Sequence, residues 1–500
     1  MNITSLNDIP FINAERNPAN TALIDAGSGN RLTYEELAGS VSYAARLISK
    51  SGLHGGDRFG LIAKSSINYV ITMFAALEAG CIVVPLNPSL DEKDLLYQCK
   101  DCGLSALYHD SYYEPKAGII ADGIPGLKAS IYEKDLYGNI SMEERLPGGE
   151  IYPDSPAAIV YTSGTTRLPL GATLSHKNLL SNNLSIAKYL SINADSTVLC
   201  VLPLYYIYGL SLIFSHFLEG GTVVLDNRFV YPNVILDSLK RFRIKGFAGV
   251  SSHYAILLDR SDIKNTELPD LEYLTQAGDS MPPAVTREIR ELFPDKDLYI
   301  MYGQTEAAPR LTYLDPSRVD RKPSSIGQAV PGVEIRLINE RGEECAKMEE
   351  GEITARGDNI MLGYWNRPEE TRKVLRNGWL HTGDLAYRDE ESDIFITGRA
   401  RNFVNIGANR VNPLEIEHSV TTDERIMEAA AVPVSDPLLG HRIKLFISAK
   451  KEAIISAEDI RKLCKKVLPP YKIPSDIIIM DSLPKNRSGK IDKNKLKEEV

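Results

Sequence analysis

No stretch of this chain is both long and apolar enough to suggest a membrane span. The most apolar segment, Tyr69 to Leu86, is broken by Glu78 and Gly80 and reads as a buried helix running into a strand. A leader is missing as well: Met1-Asn2-Ile3-Thr4 supplies neither a basic nor an apolar signal region, so a cytoplasmic protein is the expectation. Positive charge is in deficit, with 57 Lys and Arg against 66 Asp and Glu, and no continuous basic arm is present. That balance argues against a nucleic-acid partner. Cysteines are few and scattered, six in 500 residues, which excludes a disulfide framework. Cys99 and Cys102 form a lone pair without a histidine at ligand spacing, and they read as two thiols in or near a helix. Eight dispersed histidines with no paired motif give no basis for a histidine-bound metal.

What is present is the composition of a globular protein, 43% apolar and 25% charged, in a chain too long for one ordinary core. Strand-like and helix-like patterns alternate through the first four-fifths, which predicts α/β layers. Short apolar runs at Ala157 to Tyr161, Val198 to Leu202 and Leu298 to Tyr302 each stop at a Thr, Pro or Gly, as buried strands ending in loops do. The stretch Ser175 to Leu190 predicts a helix capped by Ser175, with Leu180, Leu184 and Ala187 on one face. The last hundred residues are lysine-rich, with a helix predicted over Ala457 to Leu468. A domain boundary falls near Gly398 to Asn402, after a strand-like Asp393 to Thr397.

Four segments carry chemistry. Thr162-Ser163-Gly164-Thr165-Thr166-Arg167 packs hydroxyl groups around a glycine directly after a strand. Such a loop can wrap phosphate oxygens with N–H and O–H donors. It is not a Walker A loop, which would need Gly and Lys where Pro169 and Leu170 stand. Taken alone, a phosphate cradle and a polar surface turn are both open readings. Tyr302-Gly303-Gln304-Thr305-Glu306 places a hydroxyl and a carboxylate at another strand end, and a carboxylate beside phosphates is a natural Mg²⁺ ligand. Trp379-Leu380-His381-Thr382-Gly383-Asp384 reads as a turn whose carboxylate suits a ribose diol. Near the C-terminus, Pro484-Lys485-Asn486-Arg487-Ser488-Gly489-Lys490 is a basic loop.

In their order and spacing these segments resemble the ANL superfamily of adenylate-forming enzymes, which includes acyl-CoA synthetases, peptide-synthetase adenylation domains and luciferases. Leu32-Thr33-Tyr34-Glu35-Glu36-Leu37, Leu77-Glu78-Ala79-Gly80 and Val84-Pro85-Leu86-Asn87 extend the resemblance over almost the whole chain. It implies an α/β fold in which a large N-terminal domain of layered sheets and helices, 1–400, carries a small mobile α+β C-terminal domain, 401–500, hinged at Arg401. It also implies ATP and Mg²⁺ as co-reactants, a small-molecule carboxylic acid as substrate, and the thiol of CoA or a pantetheine as acceptor.

Position by position, the resemblance assigns Thr162 to Thr166 to the β- and γ-phosphates, Thr305 to the α-phosphate and Glu306 to the metal. Gly278, Asp279 and Ser280 lie beside adenine, Tyr302 stacks near the base, and Asp384 with Arg399 binds ribose. Gly303 and Gln304 belong to the same nucleotide strip. Lys490 bridges the acid carboxylate and ATP. After rotation of the small domain, Gly407, Ala408 and Arg410 face the acceptor channel. The acid pocket is expected to comprise Tyr206, Gly209, Leu210, Val250, Ser251, Gln276, Ala277, Gly278 and Ala307.

Three departures stand out. Arg167 replaces the family's usual Gly, and Leu170 its usual Lys, so the loop keeps one positive charge three residues away. Two consequences are open: Arg167 supplies the missing cation to pyrophosphate, or adenylation is slow. Tyr206 stands where relatives carry His or Phe, and it reads as a wall that closes the pocket. The aspartate that holds an α-amino group in peptide-synthetase domains is absent at Tyr205 and Tyr206, which favours a non-amino acid. CoA is the leading acceptor; an acyl carrier protein or an amine is the alternative. A non-catalytic homologue is disfavoured by the presence of Glu306, Asp384, Arg399 and Lys490.

Overall fold

The computed structural model describes residues 3–136, 145, 151–162, 168–399, 404–406, 409–436, 439–451, 453–485 and 490–498. Two sheets dominate residues before 330. In the first, Arg58–Ile62 runs parallel between Ile82–Pro85 and Ala106–His109, with Ala129–Tyr132 beyond. On the other side Pro156–Thr162 joins Ile82–Pro85 in parallel and folds back on Leu170–Ser175. The second sheet contains six parallel strands, in the spatial order Thr21–Asp25, Thr222–Leu225, Thr197–Cys200, Gly246–Gly249, Tyr273–Gln276 and Asp297–Gly303. Antiparallel strands close both of its edges.

Helices Tyr34–Lys50, Ile67–Glu78, His176–Tyr189 and Ile207–Leu218 are sandwiched between the sheets. One core cluster joins their apolar residues to Phe59, Leu61, Val83 and Val160 of the first sheet and to Leu23, Val198, Val223 and Ala248 of the second. Two further clusters cover the outer faces under helices Pro232–Arg241, Ser251–Arg260 and Pro283–Leu292 on one side and Glu92–Cys102 and Glu114–Gly123 on the other. Strands buried on both faces explain the short, unalternating apolar runs of the sequence.

Local signals match several elements. Ser175 caps helix His176–Tyr189 in a reciprocal box with Asn178. Thr33 does the same with Glu36 for helix Tyr34–Lys50, and the Tyr34 hydroxyl donates to Gly221 O at 2.6 Å. Cys99 and Cys102 are buried near the end of helix Glu92–Cys102. Leu184, however, is exposed, unlike Leu180 and Ala187. The buried stripe of that helix centres on Leu179, Asn183 and Ile186, so Leu184 lies past its edge.

Most of the chain from residue 330 to residue 399 forms a third, antiparallel sheet around Trp379–Arg388, flanked by Gly351–Gly357 and Ile394–Arg399, while Gly363–Tyr364 pairs with Leu170–Ser175 of the first sheet. Trp379 to Asp384, expected as a turn, is therefore strand, because pairing on both sides overrides its local turn chemistry. Further on, strands Ile426–Asp436, Gly440–Ala449 and Asp476–Met480 pack with helices Pro413–Val420 and Ala457–Val467 around a separate core. Arg401 lies outside the described residues. Among those described, no helix is long and apolar enough to cross a membrane.

Candidate active site

Parallel strands that stop together leave a crevice at their carboxyl ends, where loops can present side chains and backbone N–H groups. Here that crevice is a cavity of about 1310 Å³. Strand Pro156–Thr162 brings Thr162 to it, and strand Asp297–Gly303 brings Gly303, Gln304, Thr305 and Glu306. Gly246–Gly249 leads into Val250, Tyr273–Gln276 into Ala277 and Gly278, and the loop after Thr197–Cys200 supplies Tyr206. Arg399 and, from the C-terminal part of the chain, Lys490 complete this set. Thr162 and Lys490, 328 positions apart in sequence, thus share one space.

Glu306 sits in a single turn, Thr305–Ala307, held by a bond from Met361 N to Glu306 O at 2.9 Å. The Tyr364 hydroxyl donates to Glu306 Oε1 at 2.7 Å, while Oε2 takes no hydrogen bond among the described residues. Also among those residues, no group of three His, Cys, Asp or Glu could hold a metal alone. One open carboxylate oxygen fits a Mg²⁺ ion whose other ligands are phosphate and water oxygens.

Asp384 forms the second polar centre. Its Oδ1 accepts from Arg399 Nε and its Oδ2 from the Tyr302 hydroxyl, each at 2.6 Å. Burial, reinforced by Asp384, holds the Tyr302 phenol neutral. Burial disfavours the Arg399 charge, but Asp384 more than offsets this and raises its pKa above the ordinary value. Tyr302 and Asp384 do not line the cavity; Thr382, Gly383, Leu385 and Arg399 do. The Tyr302 hydroxyl thereby orients Asp384.

Other expected pocket residues also stand back from the wall. Leu210 and Ala307 are in the core, and Gln276 is buried with Nε2 donating to Asp279 O. At Gly209 a Cβ would come within 2.4 Å of Pro203 O, so this glycine serves close helix–loop packing. Ser251 opens helix Ser251–Arg260 and does not line the cavity. Asp279 and Ser280 are exposed, and Ser280 Oγ lies 3.2 Å from His418 Nε2. Ser163, Gly164, Thr165, Thr166, Arg167, Gly407 and Ala408 lie outside the described residues, as does the Arg410 side chain.

Sequence reading missed Tyr364, His253 and Arg310, all on the cavity wall. Burial lowers the His253 pKa to about 4, which keeps its ring neutral near pH 7. The Gly363-Tyr364-Trp365 run, glycine beside two aromatics, was a signal available for Tyr364. Nothing local distinguishes Arg310, which stands in a strand of ordinary pattern.

Family models describe residues 11–365 as an AMP-binding enzyme and 415–490 as its C-terminal domain. A long-chain-fatty-acid–CoA ligase of Escherichia coli O157:H7 is 30% identical, covering 94% of this chain and 91% of that protein. The o-succinylbenzoate CoA synthetase of Bacillus subtilis, 28% identical, has been solved with its acyl-adenylate, covering 98% of both chains at TM-score 0.86. Its complex with ATP and magnesium ion superposes at 0.85, covering 98% of this chain and 99% of that one. ATP-bound MatB from Rhodopseudomonas palustris, 27% identical, covers 100% of this chain and 99% of its own at TM-score 0.89. The chain belongs to the AMP-binding enzyme family, the ANL superfamily, among its acyl-CoA ligase homologues.

Proposed function

We propose that this chain activates a carboxylic acid with ATP and transfers the acyl group to the thiol of CoA. The observation that carries this reading is the single cavity that gathers Thr162, Thr305, Glu306, Arg399 and Lys490 from separate parts of the chain. In the first step an acid oxygen attacks the α-phosphorus, the bond to the β-phosphate bridging oxygen breaks, and pyrophosphate leaves. In the second the thiol sulfur attacks the acyl carbon, AMP leaves, and the thiol proton is released.

Two anions must meet at the α-phosphorus, so the residues act mainly by charge placement. Lys490 bridges the acid carboxylate and the α-phosphate, and Thr305 donates to that phosphate. Asp384 stands between the cavity-lining Gly383 and Leu385, is oriented by Tyr302 and Arg399, and is assigned as the acceptor for the ribose hydroxyls of the seated nucleotide. Glu306 holds Mg²⁺, which when bound neutralises charge on the leaving phosphates. Thr162 and the hydroxyl-rich loop after it cradle the pyrophosphate. Tyr206 closes the acid pocket. The unit carrying Lys490 turns about Arg401 between steps, so that Gly407, Ala408 and Arg410 come to line the route for the thiol. A cytoplasmic location suits the six unpaired cysteines.

The test is an acid panel with ATP, offering CoA, holo-carrier protein and amines in turn, read by mass spectrometry. CoA thioester is expected as the main product; acylation of a carrier or an amine alone would overturn the choice of acceptor. Lys490→Ala should slow adenylate formation by about two to three orders of magnitude, read by pyrophosphate exchange. An unchanged rate would remove Lys490 from its role.

A further inference from the structure

A buried charge normally has a counter-ion within reach, because transfer out of water without one is costly. Three partly buried cations follow the rule: Arg145 meets Glu78, Arg228 meets Asp226, and Arg399 meets Asp384. Arg310 does not. It is only 3% exposed, it lines the cavity, and among the described residues no carboxylate lies within ion-pair distance of it. Its guanidinium carbon sits 4.1 Å from the centre of the Tyr208 ring, and its Nε donates to Met301 Sδ at 3.3 Å. The phenols of Tyr189 and Tyr208 are its other neighbours. Burial holds both above their ordinary pKa, so neither balances the charge.

The position is also built to be rigid. Asn182 Oδ1 accepts from Arg310 N at 3.0 Å, and Asn182 Nδ2 donates to Arg310 O at 2.8 Å. Asn359 Nδ2 reaches the same carbonyl at 3.1 Å. The same cavity wall offers neutral side chains at Tyr206, Ile207, Tyr208, Val250, His253 and Ala277. A cation fixed by its backbone, cushioned on an aromatic face and lacking an anion inside a ligand cavity is a receptor for one. The guanidinium fork matches a carboxylate in two parallel hydrogen bonds.

We propose that Arg310 is a specificity-determining residue that takes a second carboxylate of the substrate, so that the enzyme activates one end of a dicarboxylic acid. This rests on the acid-activating function proposed above. The first carboxylate reacts with ATP; the second pairs with Arg310 and is carried unchanged into the thioester.

The test compares aliphatic and aromatic diacids with their monomethyl esters and with monoacids of matched length, measuring AMP release with CoA present. For the parent enzyme kcat/KM should favour the best diacid by about a hundredfold or more, since a site made to bond a polar group rejects analogues lacking it. Arg310→Met should lower the diacid-to-monoester ratio by about 10²–10³-fold, chiefly through KM for the diacid, with KM for ATP little changed. Arg310→Lys, which keeps the charge and loses the fork, should fall between. Equal or better turnover of monoacids by the parent would overturn the assignment. So would an equal loss on every acid in Arg310→Met, which would mark a structural role or contact with the reacting carboxylate. If Arg310→Met does not fold, the parent preference and Arg310→Lys still decide. No AMP from any acid in the parent would instead sink the ligase reading itself.

Discussion

Asp384 illustrates how one side chain is committed before any nucleotide arrives. Its two oxygens already accept from Tyr302 and Arg399, and a carboxylate still has lone-pair capacity for a diol. Asp384→Asn would set an NH₂ group against one of these donors and leave the Arg399 cation without its anion. We expect KM for ATP to rise by at least about tenfold, with a lower Tm, because a charge-assisted pair is lost as well as a ligand contact. Steady-state kinetics and thermal denaturation of the same preparation would check both. A variant with normal KM would place ribose recognition elsewhere. At this scale Thr305, Glu306 and Lys490 were legible because they stand in short motifs. Arg310 and Asn182 were not: they bond each other across 128 residues, and neither carries a local pattern.

Elements show the same division between local and distant causes. The cap at Ser175 could be read from the sequence, and so could strands ending at Thr162 and Gly303, since both signals are contained in a few neighbouring residues. Trp379 to Asp384 could not, because its strand character depends on Gly351–Gly357 and Ile394–Arg399. Gly209 was placed in the pocket by resemblance, whereas at its position in helix Ile207–Leu218 any Cβ would collide with Pro203 O. Gly209→Ala should therefore cost about 1–3 kcal/mol of stability, as overpacking against a backbone atom does. It should also disturb the Tyr206 wall, raising KM for the acid more than for ATP. Denaturant titration and kinetics would measure the two effects; a variant as stable as the parent would contradict the packing argument.

For the whole molecule, three histidines buried in the neutral form tie stability to pH. Burial lowers His176, His216 and His253 from 6.5 to about 4 in the folded state. Between those values the unfolded chain binds protons that the folded one excludes. Their contribution is complete above pH 6.5 and is lost as pH falls towards 4. Each histidine adds a slope of at most about 1.4 kcal/mol per pH unit in that window. His216, bonded to Leu212 O and the Tyr273 hydroxyl, lies away from the cavity wall and is the one to replace. His216→Gln should flatten the acid limb of a stability-against-pH curve by about one proton; an unaltered limb would show that this ring is charged when folded. The layered α/β architecture was legible at this scale from alternating patterns. Contacts that join the C-terminal part to the rest, such as Lys450 with Glu288 and Ser280 with His418, were not, since surface polar groups carry no address.

The asparagine clamp has a consequence for how such an enzyme can change its diet. Asn359 bonds the carbonyls of both Ala307 and Arg310, and Met361 bonds that of Glu306, so residues 306–310 form one pinned span. The residue that would choose the substrate and the residue that would hold the metal are four positions apart on it. Descendants of this sequence that acquire a new acid are thereby confined to swapping side chains around a fixed track, because bending the track would misplace the chemistry along with the choice.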